Sequence, residues 1–161
     1  MGLRLIGDTI DLSLVALAVV LIGVMTVNVA ARAALNTDLA WNVEFGEFVL
    51  VWATFLGGAA AARRGGHIRI SEIVTALPAR SRRAVEALTR LGVLILLTVL
   101  VWKGMVIALS QMDQEMSVLY WPVGLQYAAM PIGSGLAALF VAYELWRIVR
   151  GQTLSTDLGT R

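Results

Sequence analysis

The chain has 161 residues, of which 58% are hydrophobic and only 15% charged, and its formal net charge is +2. A mean hydropathy of +0.78 excludes an ordinary soluble domain, and apolar runs long enough to cross about 30 Å of hydrocarbon at about 1.5 Å per residue place it among integral membrane proteins. The absence of cysteine excludes disulfide scaffolds, thiol catalysis and cysteine-ligated metal centres, and the single histidine, His67, leaves no internal pair for a bis-histidine haem.

The first apolar span covers residues 12–35, after a short polar lead with Arg4, Asp8 and Asp11. Ala31-Arg32-Ala33 resembles a small-residue cleavage site, but the apolar core is longer than a usual signal-peptide h-region, so an uncleaved transmembrane helix is expected. A tight external turn, 36–40, leads to the second span, 41–62. This stretch starts with an interfacial tryptophan, Trp41, carries Glu44 and Glu47, thins at Gly57 and Gly58, and ends at Arg63 and Arg64.

The connection 63–87 is the most basic part of the chain, with Arg63, Arg64, Arg69, Arg80, Arg82 and Arg83, whereas the candidate external turns contain Asp38, Asp113 and Glu115 and no lysine or arginine. That bias assigns both termini and the central connection to the cytoplasm, and accounts for the sequence pI near 9.5 without invoking nucleic acid. Within it Ile68, Ile70, Ile73, Val74 and Leu77 recur on one side, which predicts a short amphipathic segment lying along the inner surface until Pro78 breaks it. Gly65 and Gly66 permit a sharp turn beside His67.

The third span, 88–111, contains Lys103. Its aliphatic residues outweigh the lysine, whose insertion costs about 3 kcal/mol. An acidic turn ending in Tyr120-Trp121-Pro122 precedes the last span, 123–149, where Pro131 predicts a kink and Gly133 and Gly135 admit a close neighbour. The fold class is therefore all-α integral membrane: four transmembrane helices plus a cytoplasmic-side amphipathic segment, in one domain over 1–161.

Motifs for catalysis are missing: there is no phosphate loop, no H-E-x-x-H, no nucleophile elbow and no metal-ligand set, so neither enzyme activity nor a cofactor is expected. The intramembrane charges are the sharper feature. Counted from the outer ends of antiparallel helices, Glu47 and Lys103 lie at comparable depth, with Arg32 and Glu44 nearer the surface. Two acids and two bases predict a neutralising cluster of Arg32, Glu44, Glu47 and Lys103, a structural device rather than an ion path. Small residues at Gly57, Gly58, Pro131, Gly133 and Gly135 are candidates for packing against a partner. Arg63, Arg64, His67 and Arg69 are candidates for a membrane-surface loop.

Placed on these helices, the motifs resemble the small membrane subunit of tripartite ATP-independent periplasmic (TRAP) transporters, the DctQ-type subunit. The resemblance rests on Glu44 and Glu47, Val51-Trp52, Phe55-Leu56-Gly57, Arg64, Gly66-His67-Ile68, and the Tyr127, Pro131, Gly133 spacing that opens the last helix, and it covers roughly 12–150. One departure is that family members often place an arginine close to the paired acids, where this chain has Phe45 and Gly46. The resemblance implies a non-catalytic subunit of the bacterial inner membrane. Its implied partners are a large permease subunit that carries sodium-coupled transport of organic anions, a periplasmic substrate-binding protein docking against acidic outer turns at Asp38, Asp113 and Glu115, and the bilayer. Two other classes fit the same spans: a small homodimeric proton-coupled exporter using Glu44 or Glu47, and an anchor subunit of a respiratory complex.

Overall fold

The structure is a computed structural model that describes residues 2–36, 39–64 and 79–150. The described chain forms α1 (Gly2–Leu35), α2 (Trp41–Arg63), α3 (Ala79–Ser110), the short α4 (Val123–Tyr127) and α5 (Ala129–Val149). Among the described residues four spans are long and apolar enough to cross a membrane: Leu5–Ala34, Trp41–Arg63, Ala84–Ser110 and Val123–Val149. There is no strand among them, only an isolated bridge between Glu115 and Pro122. The protein is thus an all-α membrane protein. The expected amphipathic segment, together with Asp38, His67 and Arg69, lies outside the described residues.

Two helices are longer than the hydropathy pattern implies. α1 runs on through the polar lead because Asp8 and Asp11 meet Arg63 and Arg64 across the hairpin, and α3 begins at Ala79, well before its apolar stretch. α1 stops where Asn36 takes a left-handed φ of 50°, a conformation that asparagine tolerates at a helix C-terminus. The turn to α2 is tied by the Asn28 side chain, which accepts the Leu39 N–H at 3.1 Å.

The helices form an open row in the order α1, α2, α5, α3, not a closed bundle. α1 touches α2 alone, and α5 lies between α2 and α3, which do not meet. Glycines set these neighbours, since lipid supplies no hydrophobic force between helices and close backbone approach must replace it. A Cβ on Gly46 would stand 2.7 Å from Met25, one on Gly104 2.9 Å from the Pro131 ring, and one on Gly133 2.6 Å from the Phe55 Cβ. α4 tucks under the end of α3, where Gly124 lies against the Ala108 carbonyl. The buried core is made of small residues, Ala59, Ala60, Ala62 and Ala137, with Ile10, Phe140 and Val141.

The predicted proline kink coincides with a one-residue interruption of the helix. Pro131 has no N–H for the carbonyl of Tyr127, four residues earlier, and Tyr127 is where α4 ends. Ala128 bridges α4 and α5 in helical geometry.

Candidate functional site

The row has two polar ends. At the arginine end, Arg63 reaches both Asp8 and Asp11, and Arg64 bonds Asp11 at 3.0 Å. Gly7 is what lets the Arg63 side chain lie flat there, for a Cβ would meet its Nη1. Beside it, half-buried Arg90 of α3 donates to Glu144 of α5 at 3.2 Å and to the Glu86 carbonyl. Arg150 lies over the Trp146 ring at 4.1 Å. The Arg90–Glu144 pair escaped the sequence reading. Its signal was positional: both residues stand near the same end of helices that run in opposite directions.

At the other end, where the 36–40 and 111–122 connections lie, the second connection is a folded strap. Met116 donates to Trp121 at 2.8 Å, Val123 to Gln114 at 2.8 Å and Gly124 to Gln111 at 3.0 Å. Tyr120 turns the strap with φ 54°, a conformation that a bulky side chain adopts only when its surroundings hold it. What holds it is Glu44. Both oxygens of its carboxylate accept the Val118 N–H, at 3.1 and 3.0 Å, and one also accepts the Leu119 N–H at 2.9 Å. Glu44 sits in the first turn of α2, where the helix dipole favours negative charge. Phe45 and Phe48 grip the strap from below, edge-on to Trp121 at 6.4 and 5.5 Å between ring centres.

Glu44, Glu47 and Glu115 line a cavity of about 230 Å³ with Ser117, Met116, Val123 and Gln126. Among the described residues no group of three acidic, histidine or cysteine side chains is arranged to hold a metal. The cavity lies at the strap end of the row, between the first two turns of α2 and the strap.

The expected cluster of four charges does not assemble. Glu44 takes backbone N–H groups, and Glu47, exposed, has no ion pair or hydrogen bond among the described residues. Lys103 is exposed on α3 with its Nζ 5.3 Å from the Trp102 ring. The reason is the helix order: α5 stands between α2, which carries both glutamates, and α3, which carries Lys103. It stands about two turns from the end of α3, within reach of the interface for a long side chain. Arg32 is exposed in the last turn of α1.

The small residues divide into two sets. Pro131, Gly133 and Gly135 face this chain's own α3 and α2, at Gly104, Phe55 and Val101, while a Cβ added at Gly57 or Gly58 would meet nothing within 4 Å. Asp113 and Glu115 are exposed on the strap.

Sequence comparison bears on this arrangement. A family model described as "Tripartite ATP-independent periplasmic transporters, DctQ component" matches residues 21–151. The chain is also similar to the ectoine TRAP transporter small permease protein TeaB of Halomonas elongata, 32% identical over 137 residues that cover 81% of this chain and 71% of the relative. With four membrane-length helices, that match makes it a multi-pass inner-membrane transport component. The chain belongs to the DctQ component family of the tripartite ATP-independent periplasmic transporters.

Proposed function

We propose that this chain is the non-catalytic, stationary subunit of a sodium-coupled transporter for organic anions, scaffolding a large permease subunit and adding to the surface where a periplasmic binding protein docks. The observation that carries this reading is the open row: its charges gather at two ends, while long apolar faces of α1 and α3 stay uncovered, among them Val15, Val19, Ile22, Ile95 and Val99. Such faces suit lipid on one side and a large membrane partner on the other. We assign the strap end to the periplasm and the arginine end, with both termini, to the cytoplasm. Arg63, Arg64, Arg90, Arg147 and Arg150 gather at one end, while Glu44, Glu47, Asp113 and Glu115 stand at the other.

A proton-coupled exporter would require a carboxylate titrating within the membrane. Glu44 is committed to the strap, and Glu47 opens at the surface end. The solute is set by other polypeptides, so the ectoine in the relative's name is not carried over. Purification in mild detergent tests the proposal: a large multi-span subunit should accompany the chain, and proteoliposomes should take up solute on a sodium gradient only when both subunits and a loaded binding protein are present. Uptake by this chain alone would sink it.

A further inference from the structure

The arginine end of the row carries more positive charge than its own acids neutralise. Arg63 and Arg64 are paired with Asp8 and Asp11, Arg90 is paired with Glu144, and Glu86 is not free. Arg147 and Arg150 are left over. Arg147 is half-buried with no ion pair or hydrogen bond among the described residues, and the contact that Arg150 makes among them is with the Trp146 ring, 4.1 Å away. Both stand at the C-terminal end of α5, where the helix dipole supplies about half a negative charge. That offsets only part of two guanidinium groups.

The two arginines crown a stripe. Ile132, Leu139, Tyr143, Trp146 and Arg150 follow one another at intervals of seven, four, three and four residues, the spacing of one helix face, and all five are exposed. Arg147, three residues before Arg150, adjoins that face. Tyr143 and Trp146 stack with ring centres 6.1 Å apart and planes at 28°. Leu139 and Ile132 lie about 10 and about 21 Å further in along the helix axis, and one leaflet of hydrocarbon is about 15 Å deep. From the end inward, the face therefore presents a guanidinium pair, an aromatic pair at the level where such rings favour the interface, and an aliphatic track one leaflet deep.

We propose that this face of α5 is a site for one anionic phospholipid, its phosphate held between Arg147 and Arg150, its glycerol esters level with Trp146 and Tyr143, and an acyl chain along Leu139 toward Ile132. Charge selects this occupant. A second copy crosses the bilayer in the same direction, so packing the face on itself would set four guanidinium groups at one depth, a like-charge juxtaposition. Against any other face of a second copy the arginines would meet acids of that end that are already engaged. A zwitterionic lipid brings its own cation and gains less from two arginines, and free phosphate has no use for the aliphatic track. The site requires only that α5 spans the membrane and is independent of the subunit reading above.

Native mass spectrometry of the full chain in mild detergent, titrated with phosphatidylglycerol or phosphatidylcholine of identical acyl chains, tests the site. The unaltered chain should retain one phosphatidylglycerol with a preference of at least about fivefold, and Arg147→Gln combined with Arg150→Gln should weaken its binding at least about tenfold, as expected for two basic residues at an anionic lipid. Arg64→Gln, at the same end but committed to Asp11, should leave binding unchanged. Equal retention of the two lipids by the unaltered chain overturns the proposal without recourse to any variant. A double variant that binds phosphatidylglycerol as before also overturns it, whether or not a protein partner is lost, and so does displacement of the lipid by millimolar inorganic phosphate, which would make free phosphate the ligand.

Discussion

Replacing Glu44 with alanine separates the strap from the scaffold. The substitution removes the acceptor of the Val118 and Leu119 N–H groups, the second of them part-buried. A hydrogen bond to a charged group contributes about 1.5 to 3 kcal/mol, and the exposed Val118 bond, where water can substitute, contributes much less. A total of about 2 kcal/mol is expected, which corresponds to about a thirtyfold increase in strap opening. Hydrogen–deuterium exchange over residues 114–121 reads that opening directly, and Glu44→Gln, which keeps a neutral acceptor, should lose about half as much. Lys103→Met should leave the strap amides unaffected, because Lys103 makes no contact with Glu44. Unchanged strap exchange in Glu44→Ala, or accelerated exchange in Lys103→Met, would refute the reasoning and restore the charge cluster in its place.

Gly133→Ala should destabilise the chain by about 1 to 3 kcal/mol in a detergent melt, since its Cβ would stand 2.6 to 2.7 Å from the Phe55 Cβ and backbone, atoms that cannot swing aside. Gly57→Ala, in open space on the same pair of helices, should be neutral or slightly stabilising. For the half-buried Arg90–Glu144 pair, Arg90→Met and Glu144→Met should each lower stability, and the double substitution should cost less than their sum by about 1 to 2 kcal/mol. Strict additivity would show that the two do not interact.

The four spans were legible because hydropathy over a window of about 20 residues is a strong, local signal. What the helices do with their charges was less legible. Counting depth put Lys103 opposite Glu47, a count that is silent about which helix stands between them. The position of α5 depends on Gly104 meeting Pro131 and Gly133 meeting Phe55, pairings between segments distant in sequence that no periodicity encodes. Glu44 was read as an ion in search of a counter-ion. Its actual partners are main-chain amides of the strap, and no side-chain inventory can contain them. The early start of α1 was hidden for a related reason: Asp8 and Asp11 look like a polar lead until the hairpin brings Arg63 and Arg64 beside them.

The open row itself follows from the solvent. In water, the uncovered aliphatic faces of α1 and α3 would drive the helices to close on themselves, at roughly 25 cal/mol for each Å² removed from contact with water. In lipid that drive vanishes, and adjacency falls to the places where backbones can approach: Gly46 for α1 on α2, Gly133 for α2 on α5, Gly104 for α3 on α5. α5 has such contacts toward two neighbours and so becomes the centre, whereas α1 has them toward α2 only and remains at the edge. Side chains with charge are drawn to the ends, where Asp11, Arg63, Arg90 and Glu144 lock one and Glu44 locks the other. A row of helices tied at both ends, with aliphatic faces of α1 and α3 left uncovered between them, fits the scaffold role proposed above.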